Sequence, residues 1–337
     1  MLYLAFKNLI SKPFNTFLSI LLFVLSISLI TFVLQLKDQL HQQLDKFIKP
    51  FDLVIGVIGS ALQLILSSVL HIDNPTGNIS FDEALKITKN PMVREAIPIS
   101  YGDNYKGYRI LGTSEGYLNR YKASLSKGKL YNKPFEAVVG YQVAQKTNLT
   151  VGKTFVSAHG LTANGIEAHE EKPFVVTGVL KPTGTVVDHL IITKLESIWE
   201  VHEHEGEHDH HDDHDEPVEI TSMLLKFRNP IGAIQLSRFV NKNTKMQAAF
   251  PKLEIDRLIG FLGIGIQTIN GIAIMILLVA GLSMFINLIK TVRERKQELA
   301  LIRTYGANTF QLIKLVFLEA LFLSVLGFAL GWIIGRI

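Results

Sequence analysis

Three long apolar runs constrain this chain more than any other feature: residues 14–36, 261–289 and 312–334. The first two carry no charged side chain, and each run meets the roughly 20 residues that a helix needs to cross a bilayer. Backbone in hydrocarbon must satisfy its own hydrogen bonds, so each run is expected as a spanning helix. Between the second and third lies KTVRERKQELALIRTYGA, with Lys290, Arg293, Arg295, Lys296 and Arg303 against Glu294 and Glu298. Short basic loops stay on the cytoplasmic side, which puts the long segment between runs one and two outside. Val292, Leu299 and Ile302 can share one apolar stripe, and Gly306 offers a helix stop. The loop therefore reads either as a cytoplasmic coupling helix for a soluble partner or as a basic connector drawn to anionic headgroups.

The totals fit that picture. A chain of 337 residues that is 48% hydrophobic has room for a membrane part and one folded domain. Its net charge of +4 comes with no basic patch interleaved with aromatics, so no nucleic-acid partner is expected. There is no cysteine, which removes disulfides, thiol nucleophiles and thiolate-bound zinc from consideration.

The resulting map has seven parts. Residues 1–13, with Lys7 and Lys12, form a cytoplasmic amphipathic segment, and 14–36 form the first span, an uncleaved anchor. Residues 37–51 continue it as a stalk helix, since Leu36, Leu40, Leu44 and Ile48 recur every four residues until Pro50. Residues 52–256 form an extracytoplasmic α+β core domain, and 257–289 are a second stalk and span. Residues 290–311 are the coupling helix, and 312–335 the third span. Residues 52–70 are apolar enough for a span, but a span there would turn the basic loop outward. Gly56, Gly59 and Ser60 also break the segment, so it reads as a strand, a turn and a short buried helix.

In the core domain, Pro-marked turns separate strand-like runs at 108–112, 137–140, 154–157, 173–180, 189–193 and 223–227. Helical patterns fall at 80–89, 195–201 and 231–242, the first opened by a capping box of Ser80 and Glu83. The fold class is an α-helical membrane protein with three spans and a large inserted α+β domain. It is expected as a multi-pass membrane protein with its large domain on the outer face. Gly327, Gly331 and Gly335 stand four apart on one face of the third span, a spacing that lets helices approach closely.

Chemistry is sparse. Val151-Gly152-Lys153-Thr154 imitates the end of a phosphate loop, but the Gly expected five positions before Gly152 is Thr147. No other such loop exists, so the chain is expected to lack its own nucleotide site and not to be an enzyme. Residues 202–216 (HEHEGEHDHHDDHDE) form an exposed tract that can bury no core. Its His202, His204, His208, His210, His211 and His214, beside carboxylates, suit loose binding of Zn²⁺ or similar ions, with no cofactor held firmly. His159, His169 and His189 read as structural or surface residues. Glu319 falls inside the third span and is read as reaching the interface or pairing with another helix.

Arg293-Glu294-Arg295 followed by Glu298, Ala300, Arg303 and Gly306-Ala307 resembles the cytoplasmic signature of FtsX-like, MacB-type ABC transporter permeases. AVVGYQVAQKTNLTVG (137–152) and FVVTGVLKPTGTVVD (174–188) are similar to that family's core domain, and Glu319 matches an early span carboxylate. Residues 60–78 suggest a metal-associated subgroup. The family pattern has a fourth span, whereas this chain stops at Gly335-Arg336-Ile337. The resemblance implies a permease that works as a dimer with a cytoplasmic ABC ATPase subunit and transmits its motion to the outer domain, with room for a periplasmic partner. Arg293, Glu294, Arg295, Glu298, Arg303 and Gly306 would meet the ATPase. Two other readings stay open: a membrane-anchored zinc-binding module, and a sensor that signals inward.

Overall fold

The computed structural model describes residues 13–159, 172–203, 218–294 and 309–336. In chain order the elements begin with α1 (Pro13–Ile48), β1 (Leu53–Val57), α2 (Ala61–Ser68), β2 (Ile79–Ser80), α3 (Phe81–Thr88), β3 (Val93–Tyr105) and β4 (Tyr108–Thr113). They continue with α4 (Gly116–Arg120), β5 (Leu125–Gly128), β6 (Glu136–Val139), α5 (Tyr141–Thr147), β7 (Thr154–Phe155), β8 (Ala158–His159) and β9 (Phe174–Leu180). A 3-10 turn (Val186–His189), β10 (Ile191–Thr193), α6 (Leu195–Glu203), β11 (Glu219–Ile220) and β12 (Ser222–Phe227) follow. The chain closes with α7 (Pro230–Asn243), β13 (Met246–Ala249), α8 (Pro251–Glu294) and α9 (Thr309–Ile334). The described residues fall into two compact units, one within 1–41 and 259–337, the other 42–258.

The first unit is helical. Stretches Ile20–Ile48, Pro251–Ser283 and Phe317–Ile334 are long and apolar enough to cross a membrane by length and composition. Outward-facing Phe261, Met275, Leu278 and Phe317 are each more than 60% exposed, which suits a lipid-facing surface and not a water-facing one.

The second unit is built on a mixed sheet of order β13-β1-β12-β3-β4-β10-β6-β9-β5, with β7 added to β9 and β8 to β3. Residues 52–70 form β1, the Ser60-capped α2 and the turn between them. Pairing on both sides, one strand in from the sheet edge, and burial on both faces explain the continuous apolar run of β1: Leu53, Val54 and Ile55 are fully buried between β12 and β13. Two core clusters lie along one face of the sheet, one toward each end. One gathers Leu53, Ile55, Met223, Leu225 and Phe227 with Leu236 and Val240 of α7. The other gathers Ile110, Val139, Phe174 and Ile191 with Ile198 of α6. Each fully buried aliphatic side chain contributes about 1.5–3 kcal/mol. α6 lies so close to β4 that a Cβ on Gly112 would meet Ile198 Cγ1 at 2.5 Å and Leu195 Cα at 3.2 Å.

The longest strand, β3, has no counterpart in the sequence reading. Its polar residues and Pro98 break the strand pattern. Pro98 is tolerated because β4 begins to pair only at Ile99, so at Pro98 β3 is flanked by β12 alone.

Candidate functional site

The features that bear on function are the ends of α1 and α8, the way they enter the sheet unit, and the helix face that packs the apolar unit. The last turns of α1 are held by three contacts inside the sheet unit. Asp45 accepts from Lys252 Nζ of α8 at 2.8 Å, and Asp256 flanks the same ammonium at 3.1 Å. Donating hydrogen bonds to both carboxylates raises the Lys252 pKa. The Phe47 carbonyl accepts from Tyr121 Oη at 2.9 Å, and Gln43 Nε2 donates to the Gly184 carbonyl at 3.0 Å. Gly184 sits in a turn organised by buried Asp188, whose carboxylate accepts from the backbone N–H of Thr183 and of Gly184 and from Thr183 Oγ1. Just beyond α1, Asp52 binds Lys226 Nζ at 2.6 Å and the Phe227 N–H at 2.9 Å.

Next to this anchor lies a buried polar cluster. Tyr101 Oη donates to the Ser67 carbonyl at 2.9 Å, which uses its only proton. His71 Nδ1 therefore donates to Tyr101 Oη, and Tyr117 Oη donates to His71 Nε2 at 2.6 Å. The ring is neutral and held in one tautomer. Burial, followed by the nearby Arg109 guanidinium, lowers the His71 pKa to about 3. Burial also raises the phenol pKa values of Tyr101 and Tyr117. Phe51, three residues past the end of α1, stacks on Tyr117 at 6.1 Å and meets Tyr121 edge-on at 5.9 Å. Sequence reasoning missed this cluster because His71, Tyr101 and the Tyr117/Tyr121 pair of α4 and its C-cap come from three separate parts of the chain. Their one local signal is a His closing an otherwise apolar helix.

In the helical unit, Gly327, Gly331 and Gly335 face α1. A Cβ on Gly327 would meet Phe23 Cβ at 2.9 Å, on Gly331 Ile27 Cβ at 2.8 Å, and on Gly335 the Ser28 carbonyl oxygen at 2.8 Å. None of the glycines of α8 within 260–281 would meet anything within 4 Å, while Ala273 and Ala280 in the same stretch are fully buried. Glu319 is buried within this unit at 5% exposure.

Of the residues assigned to ATPase contact, Arg293 and Glu294 close α8, with Arg293 exposed. Arg295, Glu298, Arg303 and Gly306 lie outside the described residues. His202 is in the last turn of α6, while His204, His208, His210, His211 and His214 lie outside the described residues. Among the described residues no group of three or more His, Asp or Glu side chains could hold a metal ion. The phosphate-loop imitation is a turn leading into β7. Its Gly152 N–H goes to the Val176 carbonyl and its Lys153 ammonium to the Asn148 carbonyl, so neither is aimed at a ligand.

Comparison with known proteins agrees with this layout. A family model described as MacB-like periplasmic core domain matches residues 16–231, and one described as FtsX-like permease C-terminal matches residues 270–337. Among solved structures, the periplasmic region of MacB from Actinobacillus actinomycetemcomitans is similar at 13% identity and a TM-score of 0.40, covering 63% of this chain and 95% of that one. The extracellular domain of the ABC-type transporter YknZ from Gram-positive bacteria is similar at 12% identity and a TM-score of 0.37, covering 58% and 98%. A domain of a permease protein from Porphyromonas gingivalis gives 12% identity and a TM-score of 0.29, covering 52% and 77%. Among curated proteins, none matches the chain. With a sheet domain inserted between apolar helices and a matched segment longer than half its length, the chain belongs to the MacB-like periplasmic core domain family and carries an FtsX-like permease C-terminal segment.

Proposed function

We propose that this chain is the permease subunit of a MacB/FtsX-type ABC system, in which a separate cytoplasmic ATPase supplies energy and the permease passes its conformational change to the outer domain. The observation that carries this reading is continuity. α1 is one helix of 36 residues and α8 one of 44. Each joins an apolar stretch long enough to span a bilayer to an end bonded into the sheet unit. Neither has a proline after its first residue, so neither carries the commonest cause of a kink that would absorb displacement. In this reading Arg293, Glu294, Arg295, Glu298 and Arg303 meet the ATPase, Gly306 ends the coupling helix, and two copies of the permease work together in the bacterial inner membrane. A periplasmic partner would meet the outer domain. The work done there is export or envelope handling of a substrate the residues do not name.

Reversing charge at Arg295→Glu together with Glu298→Lys should remove the ATPase from the purified permease and leave the outer domain's melting unchanged. Undiminished recovery of the ATPase would contradict the assignment.

A second reading concerns the His-rich tract. Trp199 Nε1 donates to the Glu219 carbonyl at 2.8 Å, which ties together the chain on either side of the tract. We propose that the tract 202–216, whose first two residues end α6, captures zinc loosely from this closed base. Deleting 204–214 should abolish zinc retention by the purified chain; unchanged retention would leave the tract without that role.

A further inference from the structure

The sheet unit carries a groove of about 1200 Å³ that the transmission reading does not use. Its walls are the last turns of α1, the start of α7 and the start of α8. Pockets for small molecules run to roughly 300–1,000 Å³, so this one has room for a ligand of lipid size.

The lining has two parts. The apolar wall includes Ile234, at 46% exposure, and Leu253, at 53%, beside half-buried Phe250. Ile234 and Leu253 thus leave open aliphatic surface on the wall of a concave site, where an apolar ligand chain could cover it. The polar part is unbalanced. The two acidic residues of the groove, Asp45 and Asp52, are already neutralised by Lys252 and Lys226 at 2.8 and 2.6 Å. Lys46, Lys49 and Arg228 line the same groove, are exposed, and form no ion pair among the described residues. Three uncompensated cations thus stand beside an open apolar wall.

We infer that this groove binds an anionic amphiphile, its phosphate or carboxylate head set among Lys46, Lys49 and Arg228 and its acyl chain laid along Ile234, Phe250 and Leu253. The cations discriminate against zwitterionic and neutral heads, and the apolar wall discriminates against bare anions. Because the groove lies between the ends of α1 and α8, an occupant would wedge against both. The site rests on the sheet unit alone and stands whether or not an ATPase partner is found.

The test uses the full chain in phosphatidylcholine nanodiscs. A phosphatidylglycerol with a photoactivatable acyl chain is placed in the bilayer in one arm. In a second, a myristoyl lysophosphatidylglycerol with the same group is delivered from water. Adducts are mapped by mass spectrometry. Groove peptides containing Ile234 or Leu253 should be labelled in at least one arm, and the matching phosphatidylcholine probes should label them far less. Labelling from the bilayer alone identifies a membrane lipid, and labelling from water alone a soluble amphiphile. The variant Lys46→Gln, Lys49→Gln, Arg228→Gln should lose labelling by about tenfold, as expected for three exposed charge contacts. Its charge-preserving counterpart Lys46→Arg, Lys49→Arg, Arg228→Lys should keep it, which separates loss of the site from loss of the fold. Equal labelling by the two head groups, no adduct in the groove in either arm, or full competition by inorganic phosphate would overturn the proposal.

Discussion

His71 shows how much a single residue constrains this domain. It adopts a positive φ of 57° in a buried site, and both its ring nitrogens are committed to tyrosines. In the unfolded chain it titrates near 6.5; in the folded one burial holds it at about 3. Above pH 6.5 both states are neutral and the contribution is fully present. Below 6.5 the unfolded chain takes up a proton that the native state refuses, so stability falls as pH drops toward 3. Linkage gives a loss of about 2 kcal/mol between pH 7.5 and pH 5. A unit of this size converts that into a fall in Tm of about 4–8 °C. His71→Asn tolerates the backbone angle and removes the titration, so its melting should depend less on pH by that amount. Equal pH dependence of the two proteins by calorimetry would contradict the buried neutral assignment. None of this was legible in the sequence, because the cluster is assembled from residues dozens of positions apart whose meeting depends on sheet order.

At the scale of elements, local period decided what could be read. The apolar runs, the fourfold repeat along the end of α1 and the glycines of α9 repeat within a few residues, and the sequence displays them directly. Long-range pairings do not show themselves that way: Asp45 and Lys252 are 207 positions apart. β3 was hidden by Pro98, whose tolerance depends on where β4 begins to pair. The glycine face gives a direct prediction. Replacing Gly331 with Leu would drive atoms into Ile27 and the Val24 carbonyl, both within about a van der Waals contact of a bare Cβ. Gly331→Leu should destabilise the helical unit by about 1–3 kcal/mol, as overpacking does, and lower its thermal midpoint in detergent. An unaltered midpoint would mean that α1 and α9 do not pack there.

At the scale of the molecule, the two long helices are the elements shared by the apolar unit and the sheet unit. The contacts that hold α1 in the sheet unit are individually modest: an exposed ion pair such as Asp45–Lys252 contributes only about 0.2–1 kcal/mol. Such a pair is easily broken, while the hydrogen bonds from Tyr121 and Gln43 and the packing of Phe51 tie the helix end to the domain. In the proposed transmission reading, that combination supplies one weak link between the helices and firm attachment of each to its load.

The most direct test is to lock that weak link. The chain has no cysteine, so Asp45→Cys with Lys252→Cys introduces the only thiols. A short cleavable bifunctional thiol crosslinker would then join α1 to α8, and ATP turnover of the permease with its co-purified ATPase can be followed before and after cleavage. Transmission through these helices predicts that crosslinking suppresses turnover and that cleavage restores it. Turnover unchanged by complete crosslinking would contradict it.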